Sequence, residues 1–211
     1  MKCPRATCSP RVAACLFVAT LSTIIPSLAF AHGSFGGLTG FYAGMLHPAA
    51  APAHVLSAVA LGMLFGQEGQ TGVARALPMV VGGCLLGIIL VRSDSAMAVQ
   101  VLLLVAIALI GVLVAANLRV PTPVAMLLCS ATAFAVIMDS NPDVSASGAR
   151  LATLAGTAVS ISAAFVWIGA IVACLRRPWH RVGIRIAASW VSASALLVLA
   201  LVISQSAKVG A

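Results

Sequence analysis

Three of the four histidines in this chain lie close together, at His32, His47 and His54. Imidazole is a ligand that suits nickel, cobalt, copper and zinc. An imidazole inside a membrane helix is also often no more than a hydrogen-bonding partner of a backbone carbonyl. Three histidines in one short stretch favour the first interpretation, so we treat all three as candidate ligands of a metal cation.

The spacing of His47 and His54 matters for this hypothesis. Seven residues of unbroken α-helix separate two side chains by roughly 10 Å along the axis. Two imidazoles at that distance do not reach one ion, because metal–nitrogen bonds are about 2 Å long. A shared site therefore requires the helix to bend between them.

Two prolines, Pro48 and Pro52, lie between these histidines. Proline removes a backbone donor and clashes with the preceding turn of a helix. We therefore predict a helix to about residue 46, a break, and a second helix over about 53–65. Broken helices at membrane depth recur at the binding sites of transporters.

A ladder of glycines, Gly36, Gly40 and Gly44, precedes the prolines. Glycines four residues apart share one face of a helix and allow a neighbouring backbone to approach closely. We expect this face to be a helix-packing surface that positions the histidine stretch.

Composition places these elements in a membrane. The chain is 62% hydrophobic and 8% charged, with a mean hydropathy of +1.13, whereas soluble domains carry about 25% charged residues. The net charge of +8 comes from scattered basic residues, which argues against nucleic-acid binding. We predict an all-α, polytopic bundle of six membrane helices, the first broken at Pro48–Pro52 and the others near 74–91, 96–116, 124–138, 151–175 and 184–204.

The N-terminal segment has the pattern of a secretory signal. Lys2, Arg5 and Arg11 precede an apolar run over 12–28, and Ala29-Phe30-Ala31 is an A-x-A cleavage site. We expect residues 1–31 to be removed, leaving 32–211 as a single transmembrane domain with His32 at its start. The alternative is an uncleaved first membrane helix.

The loop charges predict the orientation. If the mature N-terminus is outside, alternation of the helices places most of the basic residues inside, as the positive-inside rule requires. This indicates a multi-pass protein of the bacterial inner (cytoplasmic) membrane. The predicted inner residues are Arg75, Arg119, Arg176, Arg177, Arg181 and Arg185, against Arg92, Arg150 and Lys208 outside.

Several classes of function are disfavoured. No Asp, Glu, Lys or Arg lies in the middle of a span, which argues against a carboxylate-driven ion pump. No Ser/His, HExxH or paired-Asp arrangement lies within a span, so we do not expect an enzyme. His180, among arginines in a predicted inner loop, is interpreted as an interfacial residue.

The histidine stretch resembles the HupE/UreJ family of hydrogenase and urease accessory membrane proteins. That family shows an early H-x-G and then G-F-x-x-G-x-x-H-P-x-x-G-x-D-H. This chain has His32-Gly33, followed by Gly40-Phe41-Tyr42-Ala43-Gly44-Met45-Leu46-His47-Pro48 and then Ala49-Ala50-Ala51-Pro52-Ala53-His54.

The resemblance implies a nickel or cobalt permease that works by facilitated diffusion, with the ion as cargo and no permanently bound cofactor. His32 would capture the ion, and His47 and His54 would hold it at the helix break. The lipid bilayer and assembly proteins of hydrogenase, urease or cobalamin metallocentres are the implied partners. The alternative is a membrane accessory protein for metalloenzyme maturation that does not transport.

The chain departs from the family pattern at two positions, where Ala51 and Ala53 replace the glycine and the aspartate. A later family segment that carries His and Glu is also different here, and reads Met138-Asp139-Ser140-Asn141-Pro142-Asp143. Asp139 and Asp143 are candidate auxiliary oxygen ligands. The alternative is that they form a polar turn between two helices.

Overall fold

The computed structural model describes residues 39–91, 96–140 and 147–209, and every regular element in these ranges is an α-helix. Short connections between the membrane-spanning helices are typical of antiparallel neighbours. The elements are α1 (Phe41–Ala50), α2 (Pro52–Gly66), α3 (Gln70–Leu90), α4 (Ala96–Ala115), α5 (Thr122–Asp139), α6 (Ser147–Cys174) and α7 (Pro178–Val209).

Helices α3 to α7 are each long and apolar enough to cross a membrane. Helices α1 and α2 pass the same test together but are bent by 81° at their junction, so the bundle has up to six crossings. The prediction of a multi-pass helical bundle with a broken first helix is confirmed.

The centre of the bundle is α2. This helix contacts every other described helix, and its Ala60, Leu61 and Phe65 are almost completely inaccessible. Its residues are apolar around nearly the whole circumference, as expected for a helix surrounded by other helices. The two ends of α2 therefore lie at the two ends of the bundle.

The ends of several helices lie close together at each end of the bundle. The start of α2 meets the end of α5, and Arg150 near the start of α6 donates to the carbonyl of Val91 after α3, at 3.4 Å. We call this side the histidine end. The opposite side, which we call the arginine end, is formed by the connections 67–69, 116–121 and 175–177.

The helix boundaries differ from the predictions mainly at α7. Hydropathy placed its start near residue 184, whereas the helix begins at Pro178. Proline is favoured in the first turn of a helix, where its missing N–H would have no partner. The basic segment around Trp179 and His180 is therefore the first turn of α7 and not a loop.

Candidate metal-binding site at the helix break

The break between α1 and α2 is a single residue, Ala51. Its backbone is extended, with φ −99° and ψ 108°, and its N–H donates to the carbonyl of His47 at 3.2 Å. An extended conformation is what the residue before a proline prefers. Pro52 then opens α2, so this proline sets the position of the break.

Pro48 does not end α1, contrary to the prediction that the helix would stop near residue 46. A proline at 48 leaves the carbonyl of Gly44 without its helical donor. The hydroxyl of Thr157 on α6 lies 3.2 Å from that carbonyl oxygen and 3.1 Å from the carbonyl oxygen of Thr153, so its one proton is shared between the two. The neighbouring helix thus replaces the missing hydrogen bond, and α1 continues to Ala50.

Glycines bring α1 and α6 into backbone contact. A Cβ added at Gly44 would clash with the carbonyl oxygen of Thr153, and one added at Gly156 would clash with that of Phe41. Gly40 precedes α1 with φ +62°, a conformation that favours glycine. Thr153 donates to the carbonyl of Gly40 at 3.2 Å.

These contacts place Gly40 and Gly44 beside α6, while Gly36 lies outside the described residues. The sequence pattern did not identify Thr153 or Thr157 as partners of α1. The available signal was their spacing of four residues, which puts both hydroxyls on one face of α6.

The imidazole of His54 is paired with a carboxylate. His54 Nε2 lies 2.9 Å from Oδ2 of Asp139, the last residue of α5, and the two side chains are 1% and 18% exposed. The backbone carbonyl of His54 accepts a hydrogen bond from the buried Ser57 hydroxyl at 2.7 Å. Both the ring and the backbone of His54 are therefore held in place.

The second ring nitrogen of His54 is buried without a hydrogen-bond partner. With the proton on Nε2 and donated to Asp139, Nδ1 carries an unused lone pair. A buried polar atom without a partner is costly and calls for an explanation. An electrophile such as a metal ion would satisfy this lone pair.

The bend brings the two histidines together. The rings of His47 and His54 lie with their centroids 5.3 Å apart and their planes inclined at 56°. Nitrogen–metal bonds of about 2 Å place each centroid about 3 Å from a shared ion. The observed 5.3 Å between the two centroids is shorter than twice this distance, so one ion can contact both rings.

The described residues do not by themselves complete a metal cage. No group of three or more His, Cys, Asp or Glu side chains within 39–91, 96–140 and 147–209 is arranged to hold an ion. His32 and Asp143, the other predicted ligands, lie outside these ranges. Ala53, at the position of the family aspartate, packs against the apolar core.

The site thus consists of two neighbouring imidazoles and a carboxylate drawn from α1, α2 and α5. Asp139 provides its carboxylate from α5, whereas the family aspartate corresponds to Ala53 on α2. What the arrangement offers chemically is one fixed nitrogen lone pair, a second imidazole beside it and a nearby oxygen donor.

Comparison with known proteins gives a match at the family level. No curated protein and no solved structure showed significant similarity to the chain. The family model described as HupE / UreJ protein matches residues 19–200. This match covers most of the chain, including both histidines at the break and Asp139, and shows that the protein belongs to the HupE/UreJ family.

Proposed function

We propose that this membrane protein binds a divalent transition-metal ion, nickel or cobalt, at the break between α1 and α2 and lets it pass by facilitated diffusion. The observation that carries the proposal is the convergence of His47, His54 and Asp139. The ring of His54 is 2.9 Å from Asp139 and has a second, unpartnered nitrogen.

The pairing of His54 with Asp139 follows a familiar arrangement. Histidines that ligate metals usually donate their other N–H to a carboxylate, which fixes the tautomer and raises the basicity of the ligating nitrogen. Asp139 would do this for His54 from α5. Its negative charge would also offset part of the charge of a divalent ion.

His47 would contribute the second nitrogen. Its ring is beside that of His54 and is only partly buried, so it is the more accessible of the two. An ion arriving from the histidine end would meet His47 first and His54 next. Waters would fill the remaining positions, which is appropriate for an ion that must also leave.

Accumulation of radioactive nickel in cells tests this proposal. We expect uptake to fall to background in His47→Ala and His54→Ala. His180→Ala is the matched control, because this histidine lies at the arginine end and should leave uptake unchanged. Equal uptake in all four proteins, at equal membrane levels, would exclude transport through this site.

A second function is favoured by one observation, the presence of Ala53 where the family pattern has its aspartate. An accessory protein for metalloenzyme maturation would bind an ion weakly and hand it on without carrying it across the membrane. Purified protein in lipid nanodiscs would then bind nickel through His54, while cells producing it would show no additional uptake.

A further inference from the structure

Two neighbouring cavities open at the arginine end, far from the histidine site. One, of about 220 Å³, lies between the α2–α3 turn and the α6–α7 connection. The other, of about 400 Å³, lies between the same turn and the α4–α5 connection. Gln67, Glu68 and Arg181 line both cavities.

The charge of this region is predominantly positive. Arg176 and Arg181 line the first cavity, and Arg119 and Arg181 line the second. Glu68 is the one acidic residue among the lining residues of either cavity. Three guanidinium groups against one carboxylate leave a net charge of +2.

The guanidinium groups are also free to bind. The single ion pair within the described ranges is that of His54 with Asp139, so Glu68 neutralises none of the arginines directly. Arg176 uses only Nε, which donates to the carbonyl of Ala173 at 3.2 Å. The side chains of Arg119 and Arg181 make no hydrogen bond to another described residue.

Apolar side chains contribute part of the lining of both cavities. Val172 and Ile184 line the first cavity, and Leu113 and Val120 line the second. Both cavities lie where apolar spans end, which is where we expect lipid headgroups to lie. A ligand that suits them has an anionic oxygen cluster for the arginines and hydrocarbon for the walls.

We propose that this pair of cavities is a binding site for the headgroup phosphate of an anionic phospholipid. Planar guanidinium groups pair with phosphate oxygens through two parallel hydrogen bonds. Basic pockets between membrane helices are suited to anionic headgroups. The site ties together the three connections at the arginine end and is independent of the metal site.

Substitution of Glu68 tests the proposal by whether binding of the ligand becomes stronger or weaker. Its carboxylate repels a phosphate that enters either cavity, so Glu68→Gln should strengthen binding. A cation site built on the same carboxylate would be weakened by that change. Arg181→Gln should weaken phosphate binding because Arg181 faces both cavities.

The experiment uses the purified full-length protein in detergent, with native mass spectrometry to count retained phosphatidylglycerol or phosphatidylcholine of the same acyl chains. We expect the wild type to retain phosphatidylglycerol preferentially. Its affinity should fall about fivefold in Arg181→Gln and rise about fivefold in Glu68→Gln. Arg75→Gln is the matched control, since exposed Arg75 lines neither cavity and donates to Thr71 of its own helix.

Three results would contradict the proposal, and one of them would show that the phosphate is a free anion and not a lipid headgroup. Equal loss of phosphatidylglycerol in Arg181→Gln and Arg75→Gln would overturn the proposal, because binding would then follow net charge alone. Weaker binding in Glu68→Gln would overturn it as well. Displacement of the lipid by millimolar inorganic phosphate would show that the site takes a free anion, and the phospholipid assignment would be wrong.

Discussion

The two ends of α2 place polar groups in opposite surroundings. At the histidine end, the imidazole of His54 is 1% exposed and is held by a carboxylate from α5, while its backbone carbonyl accepts a hydrogen bond from a hydroxyl of its own helix. At the arginine end, Glu68 and three arginines are exposed around open cavities. The first end is preorganised by the protein, whereas the second leaves its charges available to the membrane surface.

The difference shows where a membrane protein with very few charged residues finds partners for its polar groups. A polar group enclosed in a membrane bundle must have partners from several helices, because lipid offers none. A polar group at the helix ends has water and headgroups instead. Substitutions should therefore be costly and specific at the histidine end but mild at the arginine end.

The largest expected effect is at Asp139. Losing a partner that orients a metal-ligating histidine typically weakens metal affinity 10- to 100-fold. We expect a loss of about this size for Asp139→Ala, measured by nickel titration of purified protein. Asp139→Asn, which keeps an acceptor oxygen but loses the charge, should lose less. An unchanged nickel affinity in Asp139→Ala would show that His54 does not depend on this partner. The contrast between the histidine end and the arginine end would then be wrong.

Gly44→Ala should lower the stability of the bundle by about 1–3 kcal/mol, because the added methyl group meets the backbone of α6 and cannot be accommodated without a shift. Unfolding of the detergent-solubilised protein measures this change. Gly82→Ala is the matched control, since a Cβ at Gly82 has no neighbour within 4 Å. Equal stability of the two variants would contradict the close packing of α1 on α6.

Thr157→Val should cost about 0.5–1.5 kcal/mol, the usual value of one hydrogen bond, because it removes the donor to the Gly44 carbonyl. In a Pro48→Ala background the cost should be smaller, since a backbone N–H at position 48 can serve the same oxygen. A double-mutant cycle by unfolding measures the coupling. Strict additivity would show that Thr157 does not substitute for the missing donor.

The smallest effect is expected at the arginine end. Arg119→Gln should change the free energy of unfolding in detergent by no more than about 0.5 kcal/mol, as is usual for exposed positions. The same unfolding assay, run beside Gly44→Ala, gives the comparison directly. A loss as large as that of Gly44→Ala would mean that this end is also held by internal partners.

Much of the fold was predictable because it depends on local composition. The apolar runs gave α3, α4, α5 and α6 with nearly the observed bounds, and the Pro48–Pro52 pair indicated the bend. The limits of α1 and α7 were less accurate. Their ends depend on what the prolines at 48 and 178 do in context, and Pro48 is accommodated only because Thr157 lies opposite.

The candidate site was only partly predictable. Hydropathy and spacing identified His47 and His54, and proline chemistry explained how they could meet. The pairing of His54 with Asp139 joins residues 85 apart in sequence. It depends on which helices are neighbours, which the apolar pattern of a single sequence does not encode. Asp139 was therefore only an auxiliary candidate, with a polar turn as the alternative.

The hydrogen bond from Thr157 to Gly44 also has a consequence for biosynthesis. The two residues are 113 apart in sequence, and ribosomes add about 5–20 residues per second, so the donor is synthesised about 6–23 s after its acceptor. During that interval the carbonyl of Gly44 in the nascent α1 lacks the donor that Pro48 cannot supply. The first helix that the structure describes is thus among the last to reach its final form, and an N-terminal fragment that ends before α6 cannot complete it.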